Sequence, residues 1–226
     1  MAILLCAIVV FGFSRTYFAA GMVAAPLPNA LVHVHGAAFT LWMLLFLTQT
    51  ALISARRVAW HRALGTVAFC LPPIMIVLGM AGALDALRRN VSIHGLPLGA
   101  SLAIPLFNIS TFAILILAGW RTRRRPDAHK RWVLYATIAL TEAAIGRFPE
   151  WTHFGIPAAI GMQVLLTVVL LLPIVYDLVA LHRVHRTSLW AAGLTLVLAF
   201  AAVPVGLTPP WQSFTAFLAH YVAPYL

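Results

Sequence analysis

The chain has 226 residues, of which 62% are hydrophobic and 9% charged, where an ordinary soluble domain carries about a quarter charged residues. A soluble fold of this length cannot hide so much apolar surface beneath a polar exterior, so soluble globular, disordered, fibrous and disulfide-stapled classes are excluded. The net charge of +10 lies in short segments between apolar runs, a pattern of membrane topology and not of nucleic-acid binding.

Seven apolar runs have the length of a bilayer crossing. The first, 2–23, lacks a basic leader and is interrupted by Arg15, so it reads as a retained helix and not a cleaved signal peptide. It also contains Cys6 and Tyr17. The second, 30–53, carries His33, His35 and Gly36 near one end, then Trp42 and Gln49. The third, 63–85, contains Cys70; both cysteines sit among apolar residues and read as packing groups. The fourth, 98–120, holds Asn108. The fifth, 131–148, is the shortest and most polar, with Thr137, Thr141, Glu142 and Arg147. The sixth, 158–181, includes Gln163, and the seventh covers 189–207. After Pro209-Pro210, the spacing of Trp211, Phe214, Leu218 and Tyr221 predicts a short helix lying in the outer interface or against the mouth of the bundle.

Charge orients this arrangement. The segments 54–62, 121–131 and 182–188 hold 11 of the 15 basic residues, and seven spans place all three on one side. That side is expected to be cytoplasmic. The expectation is therefore an all-α, polytopic transmembrane bundle of about seven spans, a single domain over 1–226. Its N-terminus is inside and its C-terminal interfacial helix outside, in a bacterial inner membrane. Arg56 to Arg62 and Arg124 to Lys130 echo each other, each a basic pair followed four residues later by His and then a base. The echo fits either an ancient duplication or a shared way of entering the membrane.

A charge at the bilayer centre costs roughly 2.5–3.5 kcal/mol on insertion scales, so each needs a partner or a purpose. Arg15 and Glu142 fall at matched depth and are natural ion-pair partners. His33 and His35 are two positions apart, about 200° around a helix, and cannot both ligate one ion from a regular helix. His35 shares a stripe with Trp42 and Gln49, and Gly36 beside it leaves room for a flat macrocycle. The outer half thus gathers Arg15, Tyr17, His33, His35, Asn108, Glu142, Arg147 and Gln163, with His94, Glu150, His153 and His220 at the mouth. On the inner side, His61, His129, His182 and His185 are either headgroup anchors or a second cofactor site.

His33-Val34-His35-Gly36, Trp42, Gln49, Arg56-Arg57 and His61-Arg62-Ala63-Leu64-Gly65 resemble the signature of a group of uncharacterised multi-pass bacterial membrane proteins. Pro126-Asp127-Ala128-His129-Lys130-Arg131, with Ala136-Thr137 and Gly146-Arg147, looks like a second signature of similar proteins. The likeness covers roughly residues 11 to 147 and implies a multi-pass fold without an activity. A weaker resemblance links the chain to haem b membrane cytochromes, which hold cofactors between helices with histidines. The chain departs from them in lacking two intramembrane histidines at a repeated helical spacing.

Three function classes follow. The first is a redox or electron-transfer protein with haem b or a transition metal in the outer half, working with an electron-transfer partner or membrane complex. For haem, His35 is the preferred axial ligand, His33 the second choice, Gly36 and Trp42 are neighbours, and the other face is either open or taken by His153 or His220. For a metal, the set is His35, His33, Glu142, His153 and His220. The second class is a transporter or receptor with a polar pocket around Arg15 and Glu142. The third is an accessory subunit whose polar groups only join helices. No HExxH, paired CxxC, GxSxG or phosphate-cradling glycine loop is present.

Overall fold

The computed structural model of the protein describes residues 1–19, 27, 29–148, 151 and 155–222. Every regular element among them is helical. α1 (Ala2–Phe13) is uniformly apolar and widens into a π-helical turn, Ser14–Phe18, that carries Arg15 and Tyr17. α2 (Ala30–Ser54) begins where the Asn29 side-chain oxygen accepts the Val32 N–H at 3.0 Å, a side-chain N-cap.

The third expected span becomes two helices. α3 (Val58–Ala68) and α4 (Leu71–Arg88) are broken at Phe69-Cys70, immediately before Pro72-Pro73 in the first turn of α4. Proline supplies no N–H and restricts the residue before it, so the ladder restarts there. α5 (Leu98–Arg121) is unbroken. α6 (Pro126–Leu140) starts with proline at its first position. It yields at Thr141, whose hydroxyl donates to Ile138 O at 2.6 Å, and one further turn follows as α7 (Glu142–Ile145). The fifth expected span is thus a helix, a kink and a turn. α8 (Ala158–Leu181), α9 (Arg186–Gly206) and α10 (Pro209–Tyr221) complete the chain.

Five helical segments among the described residues are long and apolar enough to cross a membrane: Ala30–Ser54, Val58–Arg88, Leu98–Arg121, Ala158–Leu181 and Arg186–Gly206. Ala2–Phe18 is apolar but shorter, and the α6–α7 segment does not reach that length and apolarity. Large apolar side chains cover the outside, with Ile3 76%, Val67 72%, Val179 72% and Trp190 73% exposed. A surface of that kind is matched to lipid and not to water.

α5 is the hub, packed against α4, α6 and α9. Phe112 and Leu115 of α5 meet Tyr135 and Ile138 of α6, and Leu166 and Leu170 of α8, in a core that is almost wholly inaccessible. The face of α9 turned inward is small: Ser188, Ala191, Ala192, Thr195, Ala199 and Ala202. Small side chains let helices approach closely, which matters where lipid and protein interior are equally apolar. α1 crosses α7 so tightly that a Cβ on Gly12 would lie inside the Ala144 carbonyl oxygen.

The three basic turns share one end. Phe69 stacks on Trp120 at 4.2 Å, joining the α3 end to the α5 end. Arg131 of α6 meets Asp177 of α8 and Ser188 of α9. Arg57 and Arg125 stand at the N-caps of α3 and α6, so the echoed motif occupies the same register at two helix starts. At the opposite end α10 docks on α5, where Trp211 Nε1 donates to Gly99 O at 2.9 Å and Leu218 packs by Leu102. Phe214, Phe217 and Tyr221 of α10 remain exposed.

Candidate functional site

At the end opposite the basic turns lies a cavity of about 620 Å³, within the usual range of small-molecule sites. Its walls come from the π-turn (Tyr17), α2 (His35, Phe39, Met43), α4 (Gly79, Gly82), the α4–α5 loop (Ser92, His94), α5 (Asn108), α7 with its following turn (Glu142, Arg147) and α8 (Met162). Most of the lining is apolar, and a few polar groups converge on it.

His35 is held from two directions. Its ring stacks on Phe39, one turn along α2, at 4.2 Å and 21°. Its Nδ1 lies 3.3 Å from the Leu78 carbonyl of α4. With the proton on Nδ1, that carbonyl accepts it and Nε2 keeps its lone pair, the arrangement that prepares an imidazole for a metal. Gly82 of α4 packs on the same side of the ring: a methyl placed there would lie 3.6 Å from Nδ1, in ordinary contact.

Glu142 is 5% exposed, and the Asn108 amide donates to its Oε2 at 2.8 Å. The same Asn108 nitrogen donates to Ala139 O at 2.7 Å, which fixes the amide. Arg147 lies over the Phe13 ring at 4.8 Å and donates to Ala143 O at 2.5 Å. It has no carboxylate within ion-pair distance among the described residues. Arg89, at the rim, is by contrast paired with Asp85 at 2.9 Å, as is Arg88 at 2.8 Å. His94 sits in the α4–α5 loop with a left-handed φ of 51°. Burial, aided by the nearby Arg147 guanidinium, holds its imidazole below the ordinary value of 6.5.

The expected site residues divide. Tyr17, His35, Gly36, Asn108, Glu142 and Arg147 line the cavity. Arg15 does not: it is exposed and makes no ion pair with Glu142, which takes Asn108 instead, so the pairing by depth is corrected. Matched height does not place two side chains on facing sides of their helices. The space beside Gly36 is also not open to a macrocycle, because the Tyr17 ring fills it; the Tyr17 hydroxyl donates to His33 O at 3.3 Å. His33 is exposed. Trp42 is buried in the core, donating to Thr137 Oγ1 at 3.3 Å. Gln163 reaches Ala199 O at 3.4 Å outside the cavity. His220 is exposed on α10, beside Tyr221. His153 and Glu150 lie outside the described residues.

No three His, Cys, Asp or Glu side chains converge as a metal site among the described residues. At the basic end, His129 Nδ1 is 2.9 Å from Gly119 O, and His185 Nδ1 accepts from Thr187 N at 3.1 Å. Gln49 bridges α2 to α3, its oxygen accepting from Gly65 N at 2.9 Å and its amide facing His61. His182 ends α8 in a left-handed conformation. These are helix-end contacts made one by one.

Sequence reasoning missed the buried cluster at the basic end. Asp177 Oδ1 and Oδ2 accept from the Arg131 guanidinium, and Ser188 Oγ donates to Oδ2 at 2.6 Å. The signal was an acid inside the sixth apolar run, subject to the cost already applied to Glu142. Compared with protein-family models, with curated proteins and with solved structures, the chain matches none.

Proposed function

We propose that this chain is a multi-pass protein of a bacterial inner membrane, its basic turns cytoplasmic, and that the cavity in its outer half binds an amphipathic molecule. That molecule has an apolar, flattened body and an anionic group, and Arg147 is its counter-ion. One observation carries the reading: a guanidinium with no acidic partner among the described residues opens into a mostly apolar cavity of about 620 Å³. The guanidinium is exposed where it opens into the cavity, and no carboxylate among the described residues neutralises it, so an anionic ligand group is its natural partner. Native mass spectrometry of the protein, isolated from its own membrane, tests this. The wild type should carry an adduct that Arg147→Gln loses; identical bare masses would refute the reading.

A b-type haem is a specific member of this ligand class, and the His35 geometry favours it. His35 brings an imidazole whose Nδ1 is held by Leu78 O, and Arg147 a partner for a propionate, both on the cavity wall. Bound there, a haem would supply one-electron chemistry, with a partner in electron transfer. His220 does not serve as its second ligand, being outside the cavity; His94 and Met162 are the donors on the remaining wall. A Soret band lost in His35→Ala is the expected result under this reading. A ligand without visible absorbance leaves the receptor or transporter reading in its place.

A further inference from the structure

We propose that Glu142 is a proton acceptor that couples anion binding at Arg147 to the uptake of one proton from the cavity; this rests on the binding reading above. The other described acids are each paired with a base. Asp85 is held by Arg88 and Arg89, Asp127 by Lys130, and Asp177 by Arg131. Glu142 alone among them has no cation within 4.0 Å, although it is buried and lines the cavity. An acid serving only as a clamp would be expected to follow the pattern of the other three.

The local geometry suits a proton. Asn108 is pinned by Ala139 O and turns an N–H towards Oε2, which leaves Oε1 as the oxygen to be protonated. Glu142 also borders a crevice between α5, α6 and α9, beside Thr111 and Thr195, but that crevice is too narrow for a water molecule, so the cavity is the open route. Inward from Glu142, α6 presents fully buried Ile138 and Tyr135 against Phe112 and Leu115. On that side the next titratable side chain is the Tyr135 phenol, which donates to Leu170 O at 3.2 Å, and the first charged one, Arg131, is eleven residues from Glu142, about 16 Å along a helix. Protons therefore exchange through the cavity.

An anion that settles on Arg147 brings a second negative charge into a compartment of low polarity. Two anions there disfavour each other, and the fixed one relieves this by taking a proton. The balance is one ligand anion and one proton entering together, giving the anion on Arg147 and a neutral Glu142 carboxyl. The other titratable or charged groups facing the cavity are His35 from α2, Tyr17 from the π-turn, His94 from the α4–α5 loop and Arg89 at the end of α4. α5 and α8 contribute Asn108 and Met162, which do not titrate.

The test uses the full chain in phosphatidylcholine nanodiscs with 1-anilinonaphthalene-8-sulfonate, a flat apolar probe that stays anionic at every working pH. Arg147→Gln sets the background from the bilayer. Arg147-dependent affinity should rise as pH falls, by up to about tenfold per pH unit, the limit for one linked proton. Calorimetry in two buffers of different ionisation enthalpy should show about one proton taken up. Glu142→Gln should lose most of the slope and the uptake, a small remainder coming from His94, which Arg147 also holds down; Glu142→Asp should restore both, and Asp127→Asn, outside the cavity, should leave them unchanged. Arg147-dependent binding with no proton uptake would overturn the proposal and leave the binding reading standing. Absence of any Arg147-dependent ligand would overturn both.

Discussion

Replacing Asp177 by Asn should be among the most damaging single changes outside the cavity. The Arg131 and Asp177 side chains are 5% and 2% exposed and meet through two guanidinium nitrogens, Nε to Oδ2 at 3.2 Å and Nη2 to Oδ1. Ser188 Oγ at 2.6 Å and His185 N at 3.3 Å donate to the same carboxylate. Asparagine keeps the shape and removes the charge, so Arg131 is left buried without compensation and must also compete with an amide N–H. Breaking a buried pair by removing one partner costs about 3–5 kcal/mol, a factor of roughly 10² to 10³·⁵ in the unfolding equilibrium. The assay is unfolding of the detergent-solubilised protein, run as a double-mutant cycle with Arg131→Gln. Asp127→Asn is the control, since its 3.6 Å pair with Lys130 is largely exposed and should change stability by no more than about 1 kcal/mol. A cost for Asp177→Asn as small as the control's, with no coupling to Arg131, would refute the clamp.

Three further outcomes are expected. Gly12→Val should destabilise the fold by about 1–3 kcal/mol in thermal unfolding, because its Cβ must displace the α7 backbone at Ala144; unchanged stability would mean α1 does not cross there. His94 is held below 6.5 in the fold and returns to its ordinary value when unfolded. The unfolded chain then binds more protons between the two values, so stability should fall as pH drops through that window and fall no further below it. Histidine NMR should show Arg147→Gln moving the folded midpoint upward but not fully back, since burial is the larger cause. In a background with Cys6 and Cys70 replaced by alanine, cysteine at Thr122 should be labelled only from the cytoplasmic side; labelling from outside would reverse the orientation.

The helices were legible because membrane helices advertise themselves by length and apolarity, and each of the seven expected runs holds helical structure. Boundaries failed where local chemistry overrode hydropathy, as at Pro72-Pro73 and at the Thr141 kink. The site was legible in part for a different reason. Sequence position gives depth, at 1.5 Å per residue, but not which way a side chain faces or which helix stands opposite. Arg15 and Glu142 matched in depth and did not meet. Arg131 was read as one of many basic loop residues, and its partner 46 positions away gave no local sign. Gly36 was read as open space, although the ring that fills it comes from Tyr17, 19 positions earlier in the chain. His35, Glu142 and Arg147 were found because each is costly in lipid, and cost is a property of the residue and not of its neighbours.

The central claim, that the outer cavity is a ligand site anchored by Arg147, is tested most directly by an experimental density map of the protein isolated from its native membrane into nanodiscs. The account predicts non-protein density in the cavity, its polar end against Arg147 and its body along His35, Phe39 and Met43, absent from the Arg147→Gln map. A cavity closed by its own side chains, with Arg147 turned to a carboxylate of the chain, would contradict it.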